Sequence, residues 1–172
     1  MSALRSAAVL WKGNPTDLVG PELKPGDKAP VEYTLVANDM SAVRGSDLAG
    51  KKRILNTVPS LDTQVCDVET RHFNEQATTL PGVEILTVSM DLPFAQKRWC
   101  AAAGIDKVRT LSDFKDRKFG AAHGVLAPSK GLFARAVFVI GADDKIVYVE
   151  YVKEVGNEPD YKKAIDAARS LK

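Results

Sequence analysis

The chain has 172 residues, of which 45% are hydrophobic and 27% charged, with a formal net charge of +2. That suits one domain, residues 1–172, with a real core, and it leaves no basic face for nucleic acid; the densest run, Lys51-Lys52-Arg53, reads as a solvated turn. No stretch approaches the ~20 apolar residues of a membrane span, and Ala7–Trp11 is too short for a signal-peptide core. Two cysteines are too few for a secreted disulfide framework, so the expectation is a cytoplasmic protein with no membrane partner.

Residues 7–20 read as a hairpin: apolar Ala7–Trp11, the turn Lys12-Gly13-Asn14-Pro15, then Thr16–Val19. Pro21, Pro25, Gly26 and Pro30 punctuate an extended connection, and Tyr33–Val36 is a short strand candidate. Ser46-Asp47-Leu48 before Gly50 suggests one turn of helix or loop. An α/β rhythm follows. Residues 53–58 predict a buried strand. Residues 63–80 predict a helix with Val65, Cys66, Phe73, Ala77 and Leu80 on one broad face, capped by Thr63 or Asp62 and stopped by Pro81-Gly82. Val83–Met90 is a second strand, and residues 93–103 a second helix with Pro93 in its first turn and Gly104 past its end. A further helix is expected near 113–123. Ala134–Ile140 and Ile146–Val152 form a hairpin around residues 141–145, and residues 158–171 form a closing helix. The order β-α-β-α, β-hairpin, α matches a thioredoxin fold: an α/β protein with a central mixed sheet, flanking helices and an added N-terminal β-hairpin.

The chemistry centres on Cys66, about one turn into a helix that directly follows a strand. A sulfur there sits at the positive end of the macrodipole, near free backbone N–H groups. Both favour the thiolate, which is the nucleophile. A bland reading, a small buried hydrophobe, competes. Thr63 lies three residues earlier, so its hydroxyl can face Cys66 across one turn, or simply cap the helix. Pro59 ends the strand. Arg135 enters an otherwise apolar strand, which is costly unless the guanidinium is paired or aimed at a site. Arg71 competes for the cation role but, five residues along the helix, points mostly away. Cys100 is the second cysteine. It fits a static disulfide, worth roughly 3–4 kcal/mol on the chain-entropy account, a buried free thiol, or a thiol that condenses with a sulfenic acid. Asp62 and Glu69 read as capping or solvating the helix. His72 and His123 lack zinc-ligand spacing with the cysteines, so no metal is expected. Trp99 reads as core.

The run Pro59-Ser60-Leu61-Asp62-Thr63-Gln64-Val65-Cys66, with Asp91-Leu92-Pro93-Phe94-Ala95-Gln96 before Cys100, resembles the thiol peroxidases, the atypical two-cysteine peroxiredoxins. The resemblance runs from Lys12-Gly13-Asn14-Pro15 to Glu158-Pro159-Asp160-Tyr161. It implies that Cys66 attacks hydrogen peroxide and organic hydroperoxides. It further implies that Thr63 bonds the sulfur or the peroxide, that Pro59 shields it, and that Arg135, in Gly131-Leu132-Phe133-Ala134-Arg135, contacts it. Cys100 would form a redox disulfide with Cys66, reduced by thioredoxin. The resemblance also implies a homodimer and no cofactor. A thioredoxin-type oxidoreductase is disfavoured by the lack of Cys-x-x-Cys; a non-enzymatic thiol redox sensor on the same fold is the alternative. Bonding the two sulfurs requires Cα atoms within about 7 Å, so both helices are expected intact when reduced and loosened when oxidised.

Overall fold

The computed structural model describes residues 3–172. Strands β1 (Leu4–Trp11) and β2 (Asn14–Val19) form the N-terminal hairpin. Their two-residue turn, Lys12 and Gly13, has φ of 50° and 78°, the pairing that matches the strand twist. The hairpin begins earlier than its apolar run, and Pro15 lies inside β2 opposite Leu10.

The main sheet is built from β3 (Thr34–Ala37), β4 (Ala42–Arg44), β5 (Arg53–Thr57), β6 (Glu84–Ser89), β7 (Arg109–Ser112), β10 (Ala136–Ile140) and β11 (Ile146–Tyr151). Helix α1 (Gln64–Gln76) joins β5 to β6, and α2 (Pro93–Ala103) joins β6 to β7. Then come α3 (Lys118–Ala122), the two-residue strands β8 (Leu126–Ala127) and β9 (Leu132–Phe133), and, after β11, α4 (Tyr161–Arg169). The sheet order is β11-β10-β5-β6-β7-β3-β4. The centre, β5-β6-β7, is parallel, and the flanking pairs are antiparallel. Strands β8 and β9 extend the hairpin into a second sheet, β1-β2-β8-β9; β8 meets β2 only at Val19, so Pro15 lies on an open edge.

All residues of β5 and β10 are buried, as expected for strands covered on both faces. Alternation divides them between two cores. Leu55 and Phe138 join Leu86, Leu111 and Phe119 of α3 on one face. Ile54, Val137 and Val139 join Phe73 of α1 and Ile165 of α4 on the other.

The elements depart from expectation at their ends. Helix α1 gives way to a 3-10 turn at Ala77–Thr79 before Pro81. Helix α3 occupies only the end of the expected span, because the Asp113 carboxylate accepts the N–H groups of Phe119 and Gly120 from outside the helix. Strand β7 was not expected. Its approach is set by Asn74 of α1, whose side-chain oxygen accepts the N–H groups of Asp106, Lys107 and Val108.

His123 is fully buried against the first core, stacked on Phe119 at 4.1 Å between centroids. Its Nδ1 lies 3.0 Å from the Phe119 carbonyl, and Nε2 has no hydrogen-bond partner among the described residues. Burial pushes its pKa down to about 4. The folded state therefore binds fewer protons than the unfolded chain between pH ~4 and ~6.5, and His123 favours folding more as pH rises through that window. Asp113, pushed up by burial to about 6, acts in the opposite sense over much of it. Comparing wild type with His123→Phe isolates the histidine. In urea unfolding the wild type should gain on the variant by up to about 3 kcal/mol between pH 4 and 6.5. A constant difference across that range would exclude His123 as the titrating group.

Candidate active site

The loop Val58–Thr63 leaves the C-terminal end of β5 and turns into α1. Cys66 sits in the first turn, where the helix N–H groups lack intrahelical acceptors until Asp67, whose N–H reaches the Thr63 carbonyl at 2.9 Å. The sulfur is fully buried against Val58 and Leu61, with half-buried Trp99 beside them.

Two groups address the sulfur. The Thr63 hydroxyl oxygen lies 2.7 Å from it, and Arg135 Nη2 lies 3.3 Å from it. Thr63 occupies the N-cap position but makes no side-chain capping bond to the helix backbone. Instead its hydroxyl is also 2.9 Å from the Ser60 carbonyl. A hydroxyl has one proton. With a thiol, Thr63 donates to Ser60 and accepts from S–H; with a thiolate, it donates to sulfur. The site holds either protonation state without rebuilding.

Arg135 precedes β10 and is 2% exposed. Its guanidinium is fixed three ways. Nε donates to the Val155 carbonyl at 3.1 Å, Nη1 forms an ion pair with Glu69, and Nη2 faces Cys66. Burial works against its charge, and Glu69 with Cys66 more than offsets this, holding it above its ordinary value. Glu69 is fully buried one turn beyond Cys66. This corrects the expectation that it caps or solvates the helix. Burial pushes its carboxyl up to about 7, against the pull of Arg135 and Asn56. The spacing Cys66–Glu69–Phe73 on one helical face was the signal available in the sequence.

Pro59, Thr63, Val65 and Arg135 line a pocket of about 190 Å³ together with Trp11 and Lys12 of the hairpin and with Val155 and Gly156. Thr63 and Arg135 reach both this pocket and the Cys66 sulfur, which is itself fully buried. The structure thus brings Pro59, Thr63, Cys66 and Arg135 together. It does not bring Cys100 to them. Cys100 is half-buried on α2, with its sulfur 3.4 Å from the Thr110 hydroxyl of β7. It lines a separate, larger cavity of about 440 Å³ with Asn38 and Thr110. Burial pushes its thiol up, partly countered by Thr110 and Asn38. Both cysteines are free. Arg71 is turned away, paired with Asp67 at 2.9 Å and the Ala103 carbonyl at 3.0 Å. Asp62 is exposed. His72 packs against Tyr161, with ring centroids 4.1 Å apart and the planes tilted by 32°. Among the described residues, no three His, Cys, Asp or Glu side chains gather as metal ligands would, and no helix is long and apolar enough to cross a membrane.

The Redoxin family matches residues 24–165. The thiol peroxidase of Halalkalibacterium halodurans is 57% identical over 164 residues, which span 95% of this chain and 98% of that protein. The chain belongs to the thiol peroxidase family. Another thiol peroxidase, from Bacillus subtilis, is 50% identical over 165 residues, 96% of this chain and 98% of that one. Among solved structures, a peroxiredoxin-like protein from Aquifex aeolicus superimposes with a TM-score of 0.89 at 42% identity, covering 98% of this chain and 99% of that chain. A thiol peroxidase from Chromobacterium violaceum shares the fold at 18% identity, with a TM-score of 0.84 and 94% of each chain covered. This thiol peroxidase family member is accordingly a peroxiredoxin-type oxidoreductase on a thioredoxin-like fold, with a peroxidase function.

Proposed function

We propose that the chain reduces hydrogen peroxide and organic hydroperoxides through Cys66 and is recycled by thioredoxin. The observation that carries this is the placement of one buried sulfur 2.7 Å from the Thr63 hydroxyl and 3.3 Å from the Arg135 guanidinium, both of which also line a small pocket. The Cys66 thiolate attacks one peroxide oxygen in line. The O–O bond breaks, and the other oxygen leaves as water or alcohol after taking a proton. Thr63 and Arg135 face the region where both oxygens would lie, so they are placed to stabilise the charge that develops there. Pro59 contributes no N–H and restricts access by water. Apolar Trp11, Val65 and Val155 in the wall suit an alkyl group beside a peroxide oxygen.

The product, a sulfenic acid at Cys66, condenses with the Cys100 thiol to a disulfide with release of water. Thioredoxin then returns both thiols. The reading includes a homodimer in the cytoplasm, with residues 1–172 as one domain. Cys100→Ser tests the recycling step. It should consume about one equivalent of peroxide and stop, with sulfenic or over-oxidised Cys66 in the intact mass. Normal cycling of that variant with thioredoxin would remove Cys100 from the resolving role. A wild type that reacts once and is not turned over by any dithiol donor would make the protein a sensor.

A further inference from the structure

The two cysteine-bearing segments are tied together by a carboxylate that the proposed chemistry does not use. Asp91 lies between β6 and α2. Its Oδ1 accepts the Ser60 hydroxyl at 2.7 Å, and its Oδ2 accepts the Leu61 N–H at 2.8 Å and the Ser89 hydroxyl at 2.7 Å. Its own carbonyl accepts the Ser112 hydroxyl at 2.5 Å. Behind it, the buried Gln96 side chain of α2 donates to Ser89 at 3.0 Å and to the Leu111 carbonyl at 2.9 Å. Asp91 is thus anchored to the end of β6 through its carboxylate and to the end of β7 through its carbonyl, and the carboxylate reaches across to the loop that carries Pro59 and Thr63. Leu61, which it holds by the backbone, is one of the residues that bury Cys66.

We infer that Asp91 is a positioning residue: it latches the Cys66 loop in the peroxide-reactive arrangement and so sets whether oxidised Cys66 is resolved by Cys100 or oxidised a second time. The inference rests on the roles of Cys66 and Cys100 proposed above. Disulfide formation takes Cys66 away from Thr63 and Arg135, and Cys100 away from Thr110. The first turn of α1 and the loop before it must move, and the latch opposes that movement. Two reactions compete for the sulfenic acid. In one, the Cys100 sulfur displaces hydroxide, which leaves as water with the thiol proton. In the other, the Cys66 sulfur attacks a second hydroperoxide, gains one oxygen to become a sulfinic acid, and releases water or alcohol. Only the first needs the loop to open. The latch therefore slows resolution and leaves the second reaction unhindered.

The test uses the full chain with Asp91→Ala, Ser60→Ala and Ser89→Ala, treated with graded hydrogen peroxide. Intact mass gives the ratio of disulfide to sulfinic acid, and rapid-mixing fluorescence gives the rate of disulfide formation. Each hydrogen bond to a carboxylate contributes modestly in net terms, so losing three should raise the disulfide-to-sulfinic ratio by about tenfold in Asp91→Ala. Each serine variant should move it less, in the same direction. A ratio that is unchanged or falls in the variants overturns the latch, because a residue that merely stabilises the fold would not alter this partition. If Asp91→Ala does not fold, the serine variants decide the matter by the same criterion. A wild type that forms no Cys66–Cys100 disulfide defeats the underlying reading instead, which keeps the two failures apart.

Discussion

Cys66→Ser is expected to leave no peroxide turnover above background. The substitution changes one atom in a site that is fully buried and already has its partners in place, so the fold should survive. The hydroxyl fits between Thr63 and Arg135, but it is barely ionised near neutral pH and is a poor nucleophile toward an O–O bond. No other sulfur can substitute, since Cys100 lies in a different cavity and faces Thr110 rather than a guanidinium. Peroxide consumption with a dithiol donor, alongside circular dichroism to confirm folding, decides the point. Substantial residual turnover in a folded variant would move the nucleophile elsewhere.

Arg135→Ala is expected to damage rate and stability together, by separable routes. Removing a preorganised donor from a site of developing charge costs about 10²–10³ in rate in comparable settings. Removing the guanidinium also strands Glu69, fully buried, without its partner. Breaking a buried pair from one side costs about 3–5 kcal/mol, a large part of the 5–15 kcal/mol that typically holds a domain. Adding Glu69→Gln should restore much of the stability, because no buried carboxyl is left that must be protonated or go unpaired, while the rate stays low. Arg135→Lys should rescue little. The three bonds to Val155, Glu69 and Cys66 use three different nitrogens of a planar fork, and an ammonium is a single point. Single-turnover rates and urea unfolding on the same variants separate the effects. A double variant that recovers both stability and rate would show that Arg135 serves the fold and not the reaction.

What the sequence revealed follows from how local each feature is. The strand-to-helix turn, Thr63 and Cys66 lie within one stretch, so spacing alone places them on a common face. Arg135 is far from Cys66 in sequence, and two facts made it legible: a charged residue at the mouth of an apolar strand, and the resemblance in Gly131–Arg135. Glu69 was misread because one acidic residue on a helix is usually solvated; its burial depends on β5, β10 and α4 covering that face. Strand β7 escaped because Arg109-Thr110-Leu111-Ser112 is short and mixed, and is a strand only by pairing with β6 and β3. Trp11 and Val155 were invisible as cavity walls, since nothing local places either beside Cys66.

The hairpin has a consequence for biosynthesis. Strand β1 is made before the Cys66 segment, yet Leu10 bonds to Lys153 and Val155, which are made well after it. Val155 in turn supplies the carbonyl that orients Arg135. A nascent chain therefore carries Cys66 before the guanidinium that faces it has been made and fixed, and contacts this distant in sequence form late. On the proposed function, reactivity toward peroxide is then coupled to synthesis through Val155: a polypeptide that stops short of it holds a sulfur with no fixed guanidinium beside it.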